Sequence, residues 1–156
     1  MKERVTQTHS KPLWLLVFLF AILGIVLFYG LRPGKGLATL YFLSKDNSSY
    51  IAEKRNIPFS GTPEERAQAL FDEILLGPQS RNASPLFKGP ARLASILDRG
   101  GRLHADIRLS SLSDLAVDID IVKKALAKSL ERSLPGAGTL ELYVNGAHIP
   151  NGLPGL

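Results

Sequence analysis

Three histidines, a serine cluster and a run of arginines are the side chains here with most capacity for chemistry. His9, His104 and His148 share no ligand-like spacing, whereas zinc sites draw on closely spaced ligand pairs, so neither a metal nor a cofactor is expected. His104 and Asp106 alternate along one segment, with Ser110, Ser111 and Ser113 just beyond. No G-x-S-x-G elbow accompanies them. Solvated polar residues on an open sheet face account for the group, and no catalytic residue is assigned. Gly34-Lys35 superficially matches a phosphate-binding loop, but G-x-x-x-x-G-K-[ST] requires glycine where Tyr29 stands and a hydroxyl where Gly36 stands. Asp118 and Asp120 precede a lysine-rich segment, where a capping role at a helix N-terminus is the preferred reading.

What is left is basic. Arg81, Lys88, Arg92, Arg99, Arg102 and Arg108 fall within 28 residues, offset only by Asp98 and Asp106. Such a cluster is either a solvated edge or a docking surface for a neighbouring subunit, an acidic envelope polymer or lipid headgroups.

The elements that position these residues follow from periodicity. Residues 37–43 have strand composition, residues 44–49 are turn-rich, and residues 50–59 read as extended or irregular. Thr62, Pro63 and Glu65 form a capping-box signature with proline at the first helical position. Ala67, Leu70, Phe71, Ile74 and Leu75 then recur at helical spacing until Gly77-Pro78. Residues 91–97 and 102–109 make a hairpin around Asp98-Arg99-Gly100-Gly101. In its second strand Leu103, Ala105, Ile107 and Leu109 alternate with Arg102, His104, Asp106 and Arg108, the pattern of a sheet with one dry and one wet face. Residues 117–134 read as a helix through Val122, Leu126, Leu130 and Leu134, with Lys123, Lys124 and Lys128 toward water. Residues 139–144 form a last strand before the Asn145-Gly146 turn.

Two amphipathic helices and one amphipathic sheet pack most economically as a two-layer α+β sandwich, a mixed sheet with both helices on one face. Its wet face is the candidate interaction surface: Arg102, His104, Arg108, Glu141 and Tyr143 belong to the non-core rows of two strands.

Ahead of this domain, residues 12–31 run for 20 positions without a charged side chain. As a helix they would extend about 30 Å, the hydrocarbon thickness of a bilayer, and Trp14 and Tyr29 near the ends suit the headgroup region. A cleavable signal has a shorter apolar core and a small-x-small cleavage site; Phe28-Tyr29-Gly30-Leu31 offers none. The expectation is one uncleaved transmembrane helix in the cytoplasmic (inner) membrane, with residues 1–11 as an N-terminal cytoplasmic tail and a linker at 32–36. An α+β domain over 37–150 and a tail at 151–156 then lie outside the cytoplasm. The formal charge of the 156-residue chain is +5, and its 16 basic and 13 acidic side chains beyond residue 31 leave the domain only mildly basic. Nucleic acid is therefore not an expected partner.

Tyr41-Phe42 followed by an extended arm, Leu75-Leu76-Gly77-Pro78, Gly101-Arg102-Leu103-His104-Ala105-Asp106-Ile107 and Leu142-Tyr143-Val144-Asn145-Gly146 together resemble the GerMN domain of sporulation and spore-germination proteins. The resemblance covers about residues 37–150. It implies a bacterial, membrane-tethered, extracytoplasmic domain related to ring-building modules, which act by packing side by side and not by catalysis. One departure is local: where the family strand tends to read Val-Asp-Leu-Ser, this chain has Ala105-Asp106-Ile107-Arg108-Leu109-Ser110. The expected role is a non-enzymatic assembly or scaffold module of the cell envelope, with the membrane and a protein partner or second copy as partners. The alternative is a module that binds an envelope ligand, a glycan or an anionic lipid.

An uncleaved anchor makes a direct prediction. N-terminal sequencing of membrane-extracted protein should begin at the first residues of the chain; a start near residues 36–40 would show that the apolar segment had been removed.

Overall fold

The computed structural model describes residues 17–24 and 35–150. The chain divides into two units, Met1–Pro33 and Gly34–Leu156. In the first, residues 17–24 are helical and carry Val17, Phe18, Leu19, Phe20, Ile22 and Leu23 exposed. The remainder of the expected span at 12–31 lies outside the described residues, as do the expected tails at 1–11 and 151–156. Among the described residues no helix is long and apolar enough to cross a membrane.

The second unit is α+β. It opens with β1 (Lys35–Ser44), which starts inside the expected linker, and β2 (Tyr50–Pro58), which runs back along it. Helix α1 (Pro63–Leu75) follows, then the two-residue β3 (Ala83–Ser84) and the hairpin of β4 (Ala91–Arg99) and β5 (Arg102–Leu109). A 3-10 turn at Leu112–Asp114 leads into α2 (Ile119–Ser133), β6 (Thr139–Val144) and β7 (Ala147–Ile149).

Several starts and stops form as the sequence dictates. The Thr62 hydroxyl accepts from the Glu65 amide at 3.3 Å while the Glu65 carboxylate accepts from the Thr62 amide at 2.8 Å; two donors that the first turn leaves without partners are thereby paired. Asp118 caps α2, accepting from the Asp120 amide at 3.0 Å. The hydroxyl of Ser111 caps the 3-10 turn, which assigns a structural role to one of the clustered serines.

The single mixed sheet expected from the sequence is corrected to two sheets. One has the order β2-β1-β3 and is antiparallel; the other has the order β4-β5-β6-β7, with β5 and β6 parallel and the outer pairs antiparallel. The reason lies at the strand edges. On the side away from β2, β1 pairs with β3 only at Leu43 and Ser44, and at Thr39 and Tyr41 α2 closes the edge instead. Ser133 Oγ accepts from the Thr39 amide at 2.9 Å and donates to the Thr39 carbonyl at 3.0 Å, while Ser129 Oγ accepts from the Tyr41 amide at 2.8 Å. On the other sheet, Glu64 of α1 reaches the Asp98 amide of edge strand β4 at 3.4 Å. Helical side chains thus occupy edges that strands would otherwise share.

Between the sheets and helices lies one continuous core. Ala38, Leu40 and Phe42 of β1 meet Leu70, Phe71 and Ile74 of α1, Val122, Leu126 and Leu130 of α2, and the dry rows of β5 and β6 (Leu103, Ala105, Ile107, Leu140, Leu142, Val144). Two charged residues are buried within this frame. Arg55 of β2, 6% exposed, donates to the Glu53 carboxylate at 2.6 Å and to the carbonyl and carboxylate of Glu73 at 2.8 and 3.0 Å. It thereby satisfies a carbonyl that the last turn of α1 leaves open. Burial would raise the Glu53 carboxyl, but donors from Arg55, Ser80 and Gln79 together hold it below its ordinary value. Lys123, expected in water, is also 6% exposed: its ammonium donates to the Ile149 carbonyl and fastens β7 to α2. Lys128 lies over the rings of Tyr41 and Tyr50 at 4.8 and 5.2 Å, a cation–π arrangement that leaves it exposed, and Lys124 is exposed as well.

The closed β1 edge generates a stability prediction. Ser129→Ala removes the acceptor of the Tyr41 amide in a fully buried position and should cost about 1–3 kcal/mol, the penalty of leaving a buried donor unpaired. Ser133→Ala should cost less, because water reaches this half-buried position. Chemical denaturation checks both; equal, negligible losses would mean that helix packing alone holds the edge.

Candidate functional site

The wet face of the four-stranded sheet gathers the expected interaction residues. The β4–β5 and β5–β6 registers align three rows across it: Arg99–Arg102–Thr139, Leu97–His104–Glu141 and Ser95–Asp106–Tyr143. Arg92 lies opposite Arg108 at the far end of the hairpin. His148 of β7 lies opposite Tyr143. Arg102, His104, Arg108, Glu141 and Tyr143 therefore share one face, with Arg102 and Arg108 exposed and the other three half-buried. Arg81 and Lys88, which belong to the same stretch of sequence, lie outside these strands.

A β-bulge decides the composition of this face. The register of β4 on β5 shifts between Leu93 and Ser95, so Ala94 is an extra residue and Ala94 and Ser95 are exposed in succession. Arg92 and Arg99 are an odd number of residues apart, and a regular strand would send them to opposite faces. The bulge returns them to the same one.

At the centre is a shallow depression of about 260 Å³ lined by Ser95, Leu97, Arg99, His104, Asp106, Tyr143 and Gly146. Leu97 is 41% exposed there. The Tyr143 ring stands between two imidazoles, with centroids 6.0 Å from His104 and 5.1 Å from His148, and its hydroxyl is 3.4 Å from His104 Nδ1. His148 Nε2 is 3.0 Å from a Glu141 carboxylate oxygen. Asp106 accepts from the Gly146 amide at 3.0 Å and from Arg108 Nε at 3.4 Å. Its carboxylate thus ties the β6–β7 turn to β5. That turn takes positive φ at Asn145 and Gly146, 53° and 81°, the backbone a two-residue hairpin requires, and Asn145 Oδ1 accepts from the Leu109 amide at 2.9 Å.

His148 and the β7 strand went unassigned in the sequence reading, although the Asn-Gly turn implied a returning strand that would set a residue opposite Tyr143. Among the described residues no group of three or more His, Cys, Asp or Glu could hold a metal ion. The face offers instead what molecular recognition uses: guanidinium groups at two ends and aromatic and aliphatic surface between them.

Comparison with known proteins converges on one family. The family model for Germane, sporulation and spore germination, matches residues 39–149. The first GerMN domain of the sporulation protein GerM from Bacillus subtilis has a similar fold, with a TM-score of 0.52 at 17% identity over 72% of this chain and 85% of that one. The tandem GerMN domains of the same protein give a TM-score of 0.52 at 16% identity, over 72% of this chain and 40% of theirs. No curated protein sequence matches the chain.

The Glu141–His148 contact predicts a pH dependence. The hydrogen bond from His148, opposed by burial and assisted by the charges of Lys123, His148 and Arg102, holds the Glu141 carboxyl below its ordinary value of 4.5. A depressed folded-state value means that the contribution to stability is fully present above the ordinary value and lost as pH falls through the depressed one. The melting-temperature advantage of the wild type over Glu141→Gln should accordingly shrink as pH drops below about 4.5; an advantage constant through that range would show that the carboxylate gains nothing from its neighbours.

Proposed function

The chain belongs to the Germane family, the GerMN domains of sporulation and spore germination, and on that footing we propose that it is a membrane-anchored assembly module on the outer face of the bacterial cytoplasmic membrane. In this reading residues 12–31 form the anchor, residues 1–11 lie in the cytoplasm, and the α+β domain works outside as a scaffold that docks a protein partner or a second copy. The exposed apolar side chains of residues 17–24 support the anchor, since a helix apolar on every side needs an apolar surrounding.

The observation that carries the docking role is the wet sheet face itself, where arginine, tyrosine and an exposed leucine meet around a shallow depression. Arginine and tyrosine are the side chains that most often supply binding energy in protein interfaces. A non-enzymatic role is supported by how the reactive groups are used: Asp106 holds a turn and Ser111 caps one, while Ser129 and Ser133 seal a strand edge. A second reading, binding of an envelope glycan or anionic lipid, draws on the same face through the half-exposed Tyr143 ring beside Arg99.

Arg102→Glu combined with Arg108→Glu should abolish association of the full chain with its partner, measured by co-purification from detergent extracts. Circular dichroism should stay unchanged, because exposed charges contribute little to stability. A double variant that folds and still co-purifies with every wild-type partner would reduce the face to a solvated surface.

A further inference from the structure

On the wet face two arginine pairs stand directly across from one another: Arg92 faces Arg108 at one end of the β4–β5 hairpin, and Arg99 faces Arg102 at the other. Like charges opposite each other on one sheet face are destabilising. Among the described residues Arg92, Arg99 and Arg102 form no salt bridge, and Arg108 forms one, to Asp106. The bulge at Ala94 is what places Arg92 and Arg99 on this face together. The hairpin thus keeps two cationic pairs on one side, one without an acidic partner and the other sharing only Asp106, six residues apart along β5, or about 20 Å at the rise of an extended strand.

Between the pairs the surface changes character. The depression beside Arg99 exposes Leu97 next to the rings of His104 and Tyr143, with Asp106 at its edge. Glu141 lies in the next strand, opposite His104. A uniform polyanion laid along the hairpin would meet Asp106 and Glu141 at mid-length, where they would repel it. A chain with anionic groups only at its ends, and an apolar group between them, meets attraction throughout.

We propose that this face receives an extended segment of a protein partner carrying two acidic side chains about six residues apart, one for each arginine pair, with an apolar side chain between them seated beside Leu97 and Tyr143. This rests on the reading of the chain as an assembly module and specifies the chemistry of its partner. The rise of the bound segment and of β5 is the same, so both carboxylates reach their guanidinium pairs without strain in the peptide. A carboxylate shared by two guanidinium groups relieves their mutual repulsion and adds charge-assisted hydrogen bonds.

Display of random peptides about nine residues long against the full chain in detergent micelles tests this. The enriched sequences should carry Asp or Glu roughly five to seven positions apart, with Leu, Ile, Phe or Tyr between. For the best peptide, affinity should fall at least about tenfold when both acids are replaced by their amides, and equally in the chain variant Arg92→Gln with Arg99→Gln. Leu97→Ser should weaken binding by roughly fivefold with circular dichroism unchanged. Enrichment of basic or uncharged sequences, no enrichment at all, or tighter binding of polyphosphate than of the best peptide would each overturn the proposal. Loss of partner association in the Arg102→Glu, Arg108→Glu variant alongside failure of the peptides would sink this inference alone. Unaffected association alongside that failure would sink the assembly reading with it.

Discussion

The arrangement of this domain depends on how one strand edge is closed. β1 pairs with β2 along one side, and on the other side the amides of Thr39 and Tyr41 have no strand to donate to. The hydroxyls of Ser133 and Ser129 take those amides, so α2 is fixed against β1 by directed hydrogen bonds as well as by packing of Leu126 and Leu130. Because α2 is also the crossover between the parallel strands β5 and β6, fixing it on β1 sets where the four-stranded sheet lies relative to the hairpin. Serine is a mediocre helix former, and its two occurrences here, one turn apart on the buried side of α2, make sense only as edge partners.

Local features were legible in the sequence because their physics is local. The capping box at Thr62 and Glu65, the alternation of β5 and the Asn145-Gly146 turn each involve residues a few positions apart, and all three occur as read. The number of sheets was not legible. It depends on whether the edge of β1 finds a strand or a helix, and its partners are 94 and 88 residues away. Lys123 misled for a related reason. Helical periodicity puts it beside two lysines that lie toward solvent, but the end of β7 arrives to accept from it. Arg55 gave no signal within a segment that reads as merely extended; its burial requires the Glu53 carboxylate and the open carbonyls at the end of α1.

For the interaction face, alternation on β5 and β6 sufficed to group Arg102, His104, Arg108, Glu141 and Tyr143, since one side of each strand had to be covered. The extent of the face was hidden. Odd spacing separates Arg92 from Arg99 on any regular strand, and no residue type marks Ala94 as a bulge. The sequence thus presents a loose basic cluster, and tertiary structure sorts it. Four arginines form two opposed pairs on the sheet, while Arg81 and Lys88 lie elsewhere.

The same closed edge has a consequence for how the chain acquires its structure. The β1–β2 hairpin is local and can form as soon as residue 58 has emerged where the domain folds, but Ser129 and Ser133 follow it much later in the chain. During that interval the hairpin presents an unsatisfied row of amides and carbonyls, an invitation to strand addition by another nascent copy. Completion of the domain is therefore a late, high-contact-order event, timed by the arrival of one helix.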